Sequence, residues 1–113
     1  MNVEISSQED ITEEFLMSLL CTAGEARSVI MEAMIQARNG DIDNANKMIA
    51  QADHLLVEVH RTQTSLIGFD EGKGKVSMTL ILTHIQDHIM TAMLCRDLAN
   101  EIIAIHDKLN QKG

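Results

Sequence analysis

The chain has 113 residues, enough for one domain with a modest core. Its formal net charge of -8 argues against a nucleic-acid partner, because phosphate backbones ask for clustered Lys and Arg. Proline, tyrosine and tryptophan are absent and phenylalanine occurs twice, so aromatic-rich strands are excluded and an all-α chain is expected.

Met1 to Gln8 is largely polar and is expected to be a flexible N-terminus. Ser6 followed by Glu9 has the spacing of a capping box. A first helix is predicted over about residues 9–39, with Phe15, Leu16, Leu19, Leu20, Ala23, Ile30, Met34 and Ala37 recurring at helical spacing. Asn39-Gly40-Asp41 then breaks the pattern: Gly40 suits a left-handed C-terminal position and Asp41 can cap the next helix. The turn is short, so the first two helices should be antiparallel neighbours.

A second helix is predicted over about 42–67, carrying Ala45, Met48, Ile49, Ala52, Leu55, Leu56, Val59 and Leu66. Gly68 to Lys75 combines three glycines with charged residues and reads as a mobile surface connection. No strand precedes it and its Lys is not followed by Ser or Thr in the required glycine pattern, so it is not a phosphate-gripping loop. A third helix is predicted over about 76–109, roughly 50 Å long at the rise of an α-helix. The domain, residues 9–110, is therefore expected to be an elongated antiparallel three-helix bundle.

The third helix has more apolar surface than one bundle can cover. Leu80, Asp87, Leu94 and Glu101 form one line at seven-residue intervals, and His84, Thr91, Leu98 and Ile105 form the next. A further arc carries Met78, Ile81, Leu82, Ile85, Ile89, Ala92, Met93, Ala99, Ile102 and Ile103. One arc can pack on the first two helices; the other needs self-association or another cover. Asp87 interrupts an oily line. A carboxylate buried there must be protonated, paired or metal-bound, and around a three-fold axis several copies would ask for a hard divalent cation such as magnesium. A partly open surface with an ordinary partner is the alternative.

His84 and His88 stand four apart and project to a similar side, with Asp87 in reach. A neutral imidazole held in one tautomer by a carboxylate is a competent nucleophile. The His-x3-His spacing also fits zinc, but Ile85 stands where a metalloprotease needs its glutamate. Cys21 and Cys95 lie far apart without a second pair, so both are expected to be buried free thiols. With no long apolar run or leader pattern, a cytoplasmic protein without membrane insertion is expected. On residues alone, a helical protein–protein interaction module with incidental histidines stays open.

Three stretches carry a resemblance. They are Ala23-Gly24-Glu25-Ala26-Arg27-Ser28, the loop ending Glu71-Gly72-Lys73-Gly74-Lys75-Val76-Ser77, and above all Thr83-His84-Ile85-Gln86-Asp87-His88-Ile89-Met90-Thr91. Over about residues 12–110 the chain resembles the lactose/cellobiose-type enzyme IIA component of the phosphoenolpyruvate-dependent sugar phosphotransferase system. The resemblance implies a parallel homotrimer, a nine-helix bundle, with the phosphoryl group on the distal ring nitrogen of His84. It also implies one Mg2+ per trimer, shared by three copies of Asp87. The donor would be a histidine-containing phosphocarrier protein and the acceptor a cysteine of the IIB component. A membrane component would move a β-linked disaccharide, cellobiose- or chitobiose-like in preference to lactose, that this chain never touches. His88 takes no role from the resemblance.

Overall fold

The computed structural model describes residues 4–112; Met1–Val3 and Gly113 lie outside the described residues. Three helices dominate: α1 (Glu13–Arg38), α2 (Ile42–Asp70) and α3 (Leu80–Lys112), and among the described residues there is no strand. The molecule is a rod of 56 × 22 × 20 Å. The all-α, elongated three-helix bundle expected from the sequence is therefore present in one chain.

Each helix contributes a seam at alternating three- and four-residue steps, the spacing that keeps one face on its neighbours. On α2 the buried seam is Ala45, Ile49, Ala52, Leu56, Val59 and Leu66, and on α3 it is Leu82, Ile85, Ile89, Ala92, Ala99 and Ile103. Ala23, Ala26, Ala33 and Ala37 of α1 are wholly excluded from solvent. Small side chains there let helix backbones approach closely, at the expense of buried apolar area. Helix α1 contacts both other helices more extensively than α2 and α3 contact each other. The α2–α3 side is correspondingly open and holds a groove of about 740 Å³ beside the Arg96–Asp53 pair.

The α1–α2 turn follows the expected chemistry. Gly40 takes φ 96°, and the N–H groups of Gly40 and Asp41 donate to the carbonyls of Ala37 and Gln36. That pairing is the Schellman arrangement, which only a residue tolerant of positive φ closes without strain. The Asp41 side chain accepts from the Asn44 N–H at 3.1 Å and starts α2.

Several boundaries differ from the sequence expectation. Residues 4–8 are not a loose tail: Ile5 is buried, its N–H donates to Ser65 Oγ at 2.8 Å, and Gln8 Oε1 accepts from the Ser77 N–H at 2.9 Å. The acidic residue that ties the N-terminal turn is Asp10 rather than Glu9, accepting from the N–H groups of Ser6 and Ser7. A separate 3-10 turn occupies Gln8–Asp10, and Thr12 caps α1 through its hydroxyl, which accepts from the Phe15 N–H. Helix α2 continues through Gly68 to Asp70, because Phe69 packs against the core and a left-handed Glu71 (φ 54°) ends the helix instead. The loop beyond is tethered: the Asp70 carboxylate accepts from the Val76 N–H at 2.9 Å and the Gly74 N–H at 3.4 Å. Helix α3 begins at Leu80, not near Val76, whose N–H is committed to Asp70; Thr79 Oγ1 accepts from the Leu82 N–H. It runs on to Lys112.

The cysteines also depart from expectation. Cys21 is exposed on the outer face of α1 and Cys95 is partly exposed. Their apolar neighbours in sequence lie on other faces of the same helices.

Candidate functional site

Helix α3 places His84, Asp87 and Thr91 on its solvent side, opposite the seam of Leu82, Ile85 and Ile89. Ile85, next to His84 in sequence, lies fully in the core and supplies no apolar surround to the imidazole. The surround comes instead from Leu80 and Met90 on one side, 88% and 53% exposed, and from Met31 of α1 on the other. The exposed line continues as Leu94, Leu98, Ile105 and Leu109, each more than half exposed. In one chain, then, the polar residues at 84, 87 and 91 interrupt an oily stripe that is largely open to solvent.

His84 is exposed and His88 is half-buried, one helical turn apart. Their rings meet edge to face, with centroids 4.6 Å apart and planes at 83°. The Nδ1 atom of His88 is buried and has no hydrogen-bond partner. Both histidines and Asp87 line a cavity of about 280 Å³ between α3 and α1, to which α1 contributes Arg27 and Met31. The Thr91 hydroxyl in that cavity donates to the Asp87 carbonyl at 2.8 Å, so its proton is already used.

The second helix fixes the register of this segment. Gln63 of α2, buried among apolar neighbours, donates its amide to Gln86 Oε1 and lies 3.7 Å from the Met90 sulfur. Gln86 therefore points to α2, while its neighbours in sequence, His84 and Asp87, point to solvent. Two residues of this arrangement were not assigned from sequence. Arg27 belongs to a stretch that reads as a family signature, yet nothing in its spacing links it to His84, 57 positions on. Gln63 looks like any polar helix residue until α3 is docked beside it.

A metal at Asp87 needs more than one chain. Among the described residues no group of three His, Cys, Asp or Glu side chains stands ready to hold an ion. Asp87 offers one exposed carboxylate, and oxygen donors of that kind fit a hard cation. The chemistry of the donor suits magnesium, and any further ligands would have to come from outside the chain.

The profile of the PTS system lactose/cellobiose-specific IIA subunit matches residues 14–107. The chain belongs to this family. It is 42% identical over 106 residues to the N,N'-diacetylchitobiose-specific EIIA component of Escherichia coli K12, covering 94% of this chain and 91% of that protein. It is 37% identical to the lichenan-specific enzyme IIA component of Bacillus subtilis, covering 88% and 91%. Among solved structures, the cellobiose-specific enzyme IIA of Bacillus anthracis aligns with a TM-score of 0.82 at 34% identity, covering 91% of this chain and 96% of that one. The E. coli IIA(Chitobiose)–HPr complex aligns at 0.75 and 44% identity, covering 86% and 94%. As a IIA component of this family the chain is a phosphotransferase. Among the described residues no helix is long and apolar enough to cross a membrane.

Proposed function

We propose that the chain accepts a phosphoryl group on His84 from a histidine-containing phosphocarrier protein. It then passes the group to a cysteine of a IIB component at the cytoplasmic side of a sugar transporter. The observation that carries this reading is an exposed imidazole, backed by a second histidine, at the mouth of a cavity on a rigid helix. A relative 44% identical is a IIA protein bound to HPr, which supports the same class of donor here. The relatives specific for diacetylchitobiose and lichenan favour a β-linked sugar of the cellobiose or chitobiose kind over lactose.

The step asks little of the protein beyond position. The lone pair of a neutral His84 nitrogen attacks phosphorus in line, the donor's P–N bond breaks, and its electron pair returns to the donor ring. Each ring keeps the N–H on its other nitrogen, so no net proton transfer is required. His84 must therefore be accessible to two different proteins, and a helix surface supplies that better than a cleft does.

Self-association belongs to the same proposal. Leu80, Leu94, Leu98, Ile105 and Leu109 share one face with Asp87, and three parallel copies would cover that face as a nine-helix bundle. Three Asp87 carboxylates would then be the protein ligands of one Mg2+, which neutralises charge that could not otherwise be gathered there.

The test is to supply phosphoenolpyruvate and the general donor proteins and record intact mass. One phosphoryl group per chain is expected, absent from His84→Gln while the helical circular-dichroism signal is kept. A His84→Gln chain that still gains the group would overturn the assignment.

A further inference from the structure

We infer that Arg27 of α1 is a phosphoryl-binding residue, gripping the phosphoryl oxygens while the group resides on His84. This inference rests on the reading of His84 as the phosphorylated residue.

Electrostatics poses the problem. Phosphorylation adds about two negative charges, and it adds them one turn from Asp87, on a chain whose net charge is already -8. Something near His84 must offset that charge for the carrier state to form readily. The cavity beside His84 contains one permanent cation, Arg27. Of its other polar groups, His88 has an unpartnered Nδ1 and can add a hydrogen bond, but it carries no permanent charge. Asp87 is anionic and repels the group, and the Thr91 hydroxyl donates to backbone carbonyls. Cys95 Sγ lies against the Met31 sulfur at 3.9 Å.

Arg27 is also uncommitted. Among the described residues it makes no hydrogen bond or ion pair, whereas Arg96 is locked to Asp53 and both Lys73 and Lys75 are paired with Glu71. Its backbone is fixed, because Ala26 and Ile30 on either side are wholly buried in the α1 seam. A rigidly rooted arginine with a free head can swing its fork onto two phosphoryl oxygens, a geometry that lysine does not reproduce. The same charge would draw an incoming phosphorylated donor toward His84 before transfer.

The experiment compares wild type, Arg27→Gln and Arg27→Lys, each with donor proteins and phosphoenolpyruvate, by rate of phosphoryl incorporation at low and high salt. Arg27→Gln is expected to slow acceptance about tenfold or more, the loss of a charge-assisted hydrogen bond. Arg27→Lys should recover part of the rate, and the wild-type advantage should shrink at high salt. Wild-type incorporation by Arg27→Gln, with wild type itself modified on His84, would overturn the inference alone. A fall in helical signal that tracks the slower rate would also overturn it, by making Arg27 structural. If wild type takes no phosphoryl group on His84, the reading of the site fails first and Arg27 with it.

Discussion

Gln63 of α2 donates its side-chain amide to Gln86 of α3, which stands between His84 and Asp87 in sequence and is turned toward α2. This tie joins α2 to the segment of α3 that carries His84 and Asp87. Gln63 is 8% exposed and Gln86 is half-buried, so the bond is partly shielded from water. Replacing Gln63 with Leu leaves the Gln86 carbonyl without its protein donor and is expected to lower stability by about 1–3 kcal/mol. A urea titration measures this directly. An unchanged midpoint would show that the pair contributes nothing to docking α3.

The Asp53–Arg96 pair makes a pH-dependent prediction. Arg96 donates from Nε and from its terminal nitrogen to the two oxygens of Asp53 at 2.7 and 2.9 Å, across the side where α2 and α3 touch least. The hydrogen bonds from Arg96 hold the Asp53 carboxyl below its ordinary value of 3.8, against the opposing effect of partial burial. A carboxylate whose folded pKa is depressed stabilises the fold fully above the ordinary value, and loses that effect as pH falls through the folded one. The Asp53 side chain is 40% exposed, so solvent screening limits the gain to about 0.5–1 kcal/mol. Asp53→Asn should therefore be less stable than wild type by that amount near neutral pH, and the gap should close below the ordinary carboxylate value. A gap that is constant down to acid pH would assign the effect to packing instead.

How far the sequence discloses this molecule depends on distance along the chain. The seams of α2 and α3 follow from local period, and the Gly40–Asp41 turn from residue chemistry alone. Gly68 misleads because its local tendency to end a helix is outweighed by Phe69, whose packing partners come from elsewhere in the fold. Ile5 misleads for the same reason, since Ser65, sixty positions away, receives its N–H. The site divides likewise. His84 and Asp87 are visible as a motif on one helix, whereas Arg27 and Gln63 join them only through the packing of α1 and α2.

His88 provides the contrast to His84. It is half-buried, its Nδ1 lacks a partner, and its ring abuts that of His84 edge to face. Such a ring can steady its neighbour without itself meeting a donor protein. His88→Ala is expected to retain phosphoryl incorporation, slowed by up to about tenfold, the scale of one ordinary hydrogen bond. Rapid-quench incorporation followed by intact mass checks both rate and extent. Complete loss would promote His88 from support to acceptor or essential partner.

Asp87 separates the two contributions to the proposed trimer, apolar burial and the shared cation. Leu80, Leu94, Leu98, Ile105 and Leu109 are each exposed in the single chain, and fully covering a side chain of this size contributes about 1.5–3 kcal/mol. Several such residues per chain outweigh one ion site, whose carboxylates must first be stripped of water. Sedimentation velocity of wild type with Mg2+ and with a chelator should therefore show a trimer in both, weakened at low protein concentration when the ion is removed. Asp87→Asn removes the charge that needs the ion, and its trimer should no longer respond to the chelator. Monomers of Asp87→Asn at every concentration would show that the ion, rather than the leucine face, holds the assembly together. A chelator response that persists in Asp87→Asn would place the cation elsewhere.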